Sequence, residues 1–464
     1  MKYSAILIVI ILFSSCKQEH RPEKEVQVIL SGVIENPKED IVRFSYGEQK
    51  DTAYLDSSGA FRLALQFDEA SYATFEHGNE YTGQYLSPGD SLHLSLNTEA
   101  FDQTLVYSGT GEHVNNYLAK QLLKEVEGDM DIRKLYGLNF DVFQFTVDSI
   151  KHSKLALLNE MSNETFTDEF LQLEKGRIVF DWAREKMNYP NYHQYYAEEP
   201  EDLDLNNDYY DYLDTLDINN PAFLDIKEFH SFSNAFLLNK MSEIMKDSSF
   251  MGKTVFLGKF QAVLNEFDNQ EVKDYMLYNT LRSHLSYSTK DVSDEIMERF
   301  EKHCKNEKYV TEIHEKLASW ESLQPGNPAP DFEGVDVEGK LMTLNDFRGS
   351  YVYIDVWATW CGPCKHEIPF LEELHEEYKD ENIIFVSVSL DRDKESWKKM
   401  VTEKEMKGIQ LYTKNDFKST LAKEYNIGAI PRFILIDTEG NIMDVNAPRP
   451  SGEIRDVFDS FKEV

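Results

Sequence analysis

The chain changes rhythm twice. Between residues 26 and 111, apolar and polar positions alternate in short runs: "VQVILSGVIE", "IVRFSYG", "DTAYLD", "AFRLALQF", "YATFEHG", "YTGQYL", "SLHLSLN" and "TLVYSG". These runs are rich in β-branched and aromatic residues, which suit a pleated, half-buried surface. Phe61, Leu63, Leu65 and Phe67 alternate strictly, so one side of that strand faces a core. Asn36-Pro37, Ser58-Gly59, His77-Gly78-Asn79 and Pro88-Gly89-Asp90 supply the turns between runs. Eight such runs predict an all-β sandwich or small barrel. From 112 to 320 the apolar spacing becomes three and four, as in "FLQLEKGRIVFDWAREKM" and "VKDYMLYNTLRSHL", which predicts a helical domain without a fixed repeat. From 322 to 464 the two periods alternate. "YVYIDVW", "NIIFVSVSL", "IQLYT" and "PRFILID" read as strands, "KESWKKMVTEKE" and "SGEIRDVFDSFKEV" as helices, and residues 363–380 as an amphipathic helix through Ile368, Leu371, Leu374 and Tyr378. This order predicts an α/β fold with a mixed sheet. The expected fold class is therefore multidomain.

Composition adds two exclusions. A formal net charge of −35 disfavours nucleic acid, whose phosphates such a chain repels, and broad adhesion to anionic lipid. The acidity itself reads as a solvated surface. In "YYAEEPEDLDLNNDYYDYLD", Asp202, Asp204 and Asn206 imitate the opening of a calcium loop. The glycine and glutamate that such a loop needs are replaced by Asn207 and Leu213, so the stretch reads as a connection.

The N-terminus departs from the rest. "MKYSAILIVIILFSSC" carries one lysine, an apolar run and then Ser14, Ser15 and Cys16. The run falls short of the roughly 20 residues that span a bilayer and fits a secretory signal. Small residues before a cysteine resemble the lipobox of bacterial lipoproteins, with Phe13 where leucine is usual. That resemblance implies removal of residues 1–15 and a lipid on Cys16. The polar segment "KQEHRPEKE" then closes a tether over 16–25, reaching about 30 Å when extended.

The remaining cysteines are Cys304, Cys361 and Cys364. Ile296, Phe300 and Cys304 share one helical face, so Cys304 reads as a buried apolar residue. Cys361 and Cys364 lie in "YIDVWATWCGPCKHEIPF". A c-type haem site needs histidine after the second cysteine, and Lys365 stands there. Structural zinc needs a second ligand pair, and none follows. The pair sits between a strand ending at Trp357 and a helix beginning near Gly362 or Pro363. At a helix N-terminus, free amides and the macrodipole favour a thiolate on Cys361. Pro363 suits a first turn, where no amide donor is required. One thiol can attack a disulfide and the other can resolve the mixed disulfide.

"DVWATWCGPC" resembles thioredoxin. With "APDF" before it and "IGAIPRFILIDTEGNI" after it, residues 322–464 resemble the TlpA/ResA-like envelope thioredoxins. "YLSPGDSLHLSL" and "SGTGEHVNNYL" resemble a domain of unknown function that precedes such domains in lipoproteins. The resemblance implies a thioredoxin-like fold and a thiol-disulfide oxidoreductase without cofactor or metal. Cys361 takes the place of the nucleophile, Cys364 of the resolving thiol, Trp360 of the residue preceding the nucleophile, and Pro431 of the cis-proline that receives a substrate segment. Asp355 and Glu367 match two alternative proton-transfer carboxylates, and the sequence leaves the choice open. Glu367 also reads as an ordinary solvated helix carboxylate, and His366 as exposed. Gly362-Pro363 and Ile430 match reducing thioredoxins. Arg432, where a small residue is usual, reads as a surface arginine, as a guide for acidic substrates or as a binder of peptide backbone. The implied partners are disulfide-containing envelope proteins or apocytochromes, and a membrane thiol-electron donor. The competing readings are a disulfide oxidase or isomerase on the same fold, and an envelope binding or assembly lipoprotein with a secondary redox role.

Overall fold

The computed structural model describes residues 27–461 apart from 48, 129–130, 163–164, 202, 204–206, 251–252 and 287–291. The expected signal peptide, Cys16, the tether and the calcium-like residues Asp202, Asp204 and Asn206 lie outside the described residues. The chain divides into two compact units. One runs to Asp214 and includes Asp225–Phe232; the other comprises Thr215–Leu224 and the chain from Ser233 onward. The helical stretch is thus shared between them.

In the first unit the alternating runs become eight strands: β1 (Gln27–Glu35), β2 (Ile41–Tyr46), β3 (Gln49–Tyr54), β4 (Ala60–Gln66), β5 (Ser71–His77), β6 (Glu80–Leu86), β7 (Ser91–Asn97) and β8 (Val106–Gly109). They form two four-stranded sheets, ordered β4-β1-β7-β8 and β3-β2-β5-β6. β1 runs parallel to β7 and antiparallel to β4. Inward residues of both sheets, among them Leu30, Leu94, Phe44 and Phe75, share one core, as a sandwich requires. Helices Glu112–Glu127, Phe140–Met161 and Asp168–Tyr196 follow. The last starts where the Thr167 side chain accepts from the Phe170 amide, a cap that contributes about 1 kcal/mol.

The same helix carries Glu174, which is fully buried. Tyr72 of β5 and Tyr117 each donate a hydroxyl to it at 2.8 Å. Arg177, one turn on, donates through Nε at 2.8 Å and through its guanidinium at 2.9 Å. Burial alone would raise the Glu174 pKa, but the Arg177 charge and these donors hold it below the ordinary value. Strand and helices of this unit are therefore joined by a buried anion whose every oxygen is occupied.

Beyond the helix Lys227–Ile244, most of which belongs to it, the second unit continues with helices Val255–Glu266, Gln270–Leu285, Asp294–His303 and Glu307–Glu321. Ile296 and Phe300 are buried on the helix Asp294–His303, and Cys304, which ends it as an extended C-cap rather than continuing its face, is buried as well, so that burial pushes its thiol up to about 11. The unit then builds a sheet from β9 (Glu333–Val335), β10 (Leu341–Thr343), β11 (Tyr351–Trp357), β12 (Ile383–Ser389), β13 (Ile409–Tyr412), β14 (Arg432–Ile436) and β15 (Ile442–Asp444). The order is β10-β9-β13-β12-β11-β14-β15. β11, β12 and β13 are parallel, and β14 is antiparallel to β11. β11 is central and buried from Val352 onward, so its sequence is a continuous apolar run broken only by Asp355. Helices cover the sheet, including Gly362–Glu377, Lys394–Glu403 and Ile454–Ser460. The architecture is an N-terminal β-region, a central helical region and a C-terminal α/β thioredoxin-like region, as the pattern of the sequence predicts.

Candidate redox site

β11 ends at Trp357, and four residues later Cys361 caps the helix Gly362–Glu377. Its Sγ accepts from the Cys364 amide at 3.1 Å. Pro363 occupies the first turn, where its missing amide costs nothing. Cys361 and Cys364 form a disulfide with Sγ–Sγ 1.99 Å and Cα–Cα 5.3 Å. Both cysteines pack with Trp357, Ala358, Ile368, Trp397 and Tyr412, and Ile430 packs against this cluster. The Ile430–Pro431 peptide bond is cis. Trp360 stands out of the cluster at 59% exposure, its ring 6.3 Å from that of Phe417. His366 is exposed.

Two buried carboxylates lie on the elements that meet at the Cys361–Cys364 turn, Asp355 on β11 and Glu367 on the helix Gly362–Glu377. Asp355 on β11 is enclosed, and burial pushes its pKa up to about 7. The Ser387 hydroxyl opposes that rise, while the nearby Glu367 charge adds to it. Ser387 is the register partner of Asp355 across β11 and β12. Glu367 follows Cys364 by three residues, so both lie on one helix face. At 4% exposure it is not the solvated carboxylate of the alternative reading. Its two oxygens accept from the Ser451 amide and hydroxyl, each at 3.0 Å, and the Arg449 guanidinium lies 3.8 Å away. Each Glu367 oxygen thus accepts one hydrogen bond from Ser451, whereas burial raises the Asp355 pKa to about 7.

The structure adds one residue, Asp391, and changes the role of another, Arg432. Asp391 is buried and accepts from the Thr359 amide at 3.0 and 3.1 Å, from the Thr359 hydroxyl at 2.7 Å and from the Ser389 hydroxyl at 2.7 Å. It pins the turn that delivers Trp360 and Cys361. The signal was present as an acidic residue directly after an apolar strand, in "VSVSLDRD". Arg432 is the second. It is 3% exposed, and its guanidinium donates to the carbonyls of Ser286 at 2.8 Å and Val445 at 3.3 Å. The expectation of a surface arginine, or one steering substrates from the surface, is therefore corrected: backbone carbonyls, not solvent, receive its donors.

Among the described residues, no cluster of three or more His, Cys, Asp or Glu side chains could hold a metal ion. The chemistry present is that of a dithiol–disulfide centre on a thioredoxin-like sheet, with a buried carboxylate of raised pKa on its β11 strand. Similarity agrees with this class. The Redoxin family matches residues 324–459. Over 128 residues the chain is 31% identical to the thiol-disulfide oxidoreductase ResA of Bacillus cereus, covering 28% of this chain and 72% of that protein. Over 120 residues it is 32% identical to ResA of Geobacillus kaustophilus, covering 26% of this chain and 67% of that protein. The crystal structure of the thioredoxin domain of a Bacteroides vulgatus thiol-disulfide oxidoreductase is 33% identical, with 31% of this chain and 98% of that chain covered and a TM-score of 0.28. The chain belongs to the TlpA/ResA-like thioredoxin family of thiol-disulfide oxidoreductases.

Proposed function

We propose that this enzyme reduces disulfides in partner polypeptides of the cell envelope, and that it works from a membrane through a lipid on Cys16. In the reduced enzyme the Cys361 thiolate attacks one sulfur of a substrate disulfide. A mixed disulfide forms and the other substrate sulfur leaves as a thiolate, which takes a proton. Cys364 loses its proton and attacks the Cys361 sulfur, releasing the second substrate thiol and closing the Cys361–Cys364 disulfide. Two electrons pass to the substrate, and a membrane thiol donor restores the dithiol. Trp360 and Pro431 flank the substrate segment. Substrates are oxidised envelope proteins or apocytochromes.

The observation that carries this reading is the Cys361–Cys364 pair at a helix N-terminus, following the strand that carries Asp355, a buried carboxylate raised to about 7. A general base works best with a pKa near the operating pH. Of the two carboxylates, Asp355 is therefore assigned to exchange the proton of Cys364. Glu367, occupied by Ser451, assists by keeping the Asp355 pKa up. The β-domain (26–111) and helical domain (112–320) serve as spacer and selector for the thioredoxin-like domain (322–464).

Trapping tests the reading. Cys364→Ala, with Cys361 intact, is expected to accumulate mixed disulfides that mass spectrometry identifies. Equilibration in glutathione buffers is expected to place the couple near the reducing range of thioredoxin, about −270 mV. Absence of trapped partners, together with no reduction of a test disulfide, removes the reductase reading. A potential far above that range turns it into an oxidase.

A further inference from the structure

The segment from Tyr425 to Arg432 leads into Pro431, and it is anchored from outside the thioredoxin-like sheet. Asn426, in a left-handed conformation at φ 52°, exchanges two hydrogen bonds with the Ser319 hydroxyl, at 2.9 and 3.1 Å. Gly428 presses on Ser286: a Cβ added at Gly428 would stand 2.6 Å from the Ser286 Cβ, so only glycine permits this approach. Arg432 donates to the carbonyl of that same Ser286 at 2.8 Å. Ser286 caps the C-terminus of helix Gln270–Leu285, where unpaired carbonyls and the macrodipole favour a cation. Trp320, near the end of helix Glu307–Glu321, donates to the Leu285 carbonyl at 2.9 Å and belongs to the same apolar core as Tyr425 and Ile427. Two helices that precede the thioredoxin-like region thus hold the segment at three points, all within the second unit.

We propose that Arg432 is a positioning residue for polypeptide substrates. Through Ser286 it fixes the Pro431 segment against the end of helix Gln270–Leu285. The helices then brace from behind the segment that a polypeptide substrate meets. This rests on the reading that Pro431 receives a substrate segment. A small disulfide needs only the Cys361 sulfur, whereas an extended chain also needs that segment in place. The fixed guanidinium fork suits two carbonyls at once, which a lysine cannot reproduce.

The test uses the full-length chain with two substrates, insulin and hydroxyethyl disulfide. Arg432→Met is expected to lower kcat/KM for insulin about ten- to hundredfold, mainly through KM, since misplacement of a positioning contact costs that much. Turnover of hydroxyethyl disulfide is expected to stay within about twofold, because the thiol chemistry at Cys361 is untouched. Arg432→Lys is expected to fall between, and Gly428→Ala, which pushes Ser286 from the other side, to share the selective loss. The two milder variants decide the matter if Arg432→Met does not fold. Equal losses on both substrates, or no loss on insulin in any of the variants, overturn the proposal. If the unmodified chain reduces neither substrate, it is the reductase reading that falls.

Discussion

Glu174 and Asp355 are both buried carboxylates, one in each unit, and their surroundings drive them in opposite directions. Glu174 has Arg177 beside it and two tyrosine hydroxyls on its oxygens, so it stays ionised below the ordinary range. Asp355 has a serine hydroxyl and a second carboxylate for neighbours, and its pKa rises to about 7. Burial penalises the charge in both cases. What differs is compensation. A compensated carboxylate knits a fold together; an uncompensated one is a stability cost tolerated where proton exchange near neutral pH is useful.

The contrast predicts opposite responses to removing charge. The largest effect is expected from Arg177→Met, which leaves Glu174 buried without its cation. Such losses cost about 3–5 kcal/mol, and denaturant unfolding of the first unit measures the loss. Reduction of hydroxyethyl disulfide by the folded fraction is expected to be unchanged, since the redox residues belong to the other unit. Glu174 stabilises the fold above its ordinary pKa of 4.5, and that contribution is lost as acid protonates it.

Asp355→Asn is expected to act the other way. The folded carboxyl binds its proton up to about pH 7, while the unfolded one releases it near 3.8, so stability falls as pH rises across that window. A shift of about three units corresponds to about 4 kcal/mol as an upper bound. Above pH 7 the variant should therefore be more stable than the parent, and below pH 4 equal to it. Its disulfide reduction should slow by about 10²-fold or more through loss of the proton acceptor. Parallel unfolding and rate profiles against pH check both halves; a variant that is faster, or less stable at pH 8, contradicts the comparison.

Smaller effects sharpen it. Tyr72→Phe and Tyr117→Phe each remove one donor from Glu174, with an expected loss of about 1–3 kcal/mol. Combining the two shows whether the donors act independently. Glu367→Gln removes the charge that helps hold Asp355 up, and moves the Asp355 limb of the rate profile to lower pH. No movement of that limb would mean that Glu367 is not its electrostatic neighbour.

Local pattern made much of this molecule readable. The alternation from Val26 to Gly109 yields the strands because a half-buried strand writes its burial directly into sequence. The CGPC turn is equally local, and so is the lone acid in the apolar run of β11. What stayed hidden depends on distance along the chain. The partner of Arg432 is 146 residues away, so the sequence displayed only a charged residue after proline. Ser451, which occupies Glu367, is 84 residues on, and Asp391 reaches back 32 residues to Thr359. For the same reason the proposed preference for Asp355 over Glu367 rests on their neighbours, not on their spacing from Cys364.

The strand order also sets a timetable for synthesis. β11 lies between β12 and β14, and β14 is made well after both. Until Arg432–Ile436 has emerged, one edge of the central strand has nothing to pair with, and an open strand edge invites pairing with foreign chains. The two reactive thiols are already present by then. A nascent chain therefore meets its surroundings with sulfur chemistry in place before the wall beside it exists, which makes prompt arrival of Arg432–Ile436 a matter of protecting the enzyme from its own reaction.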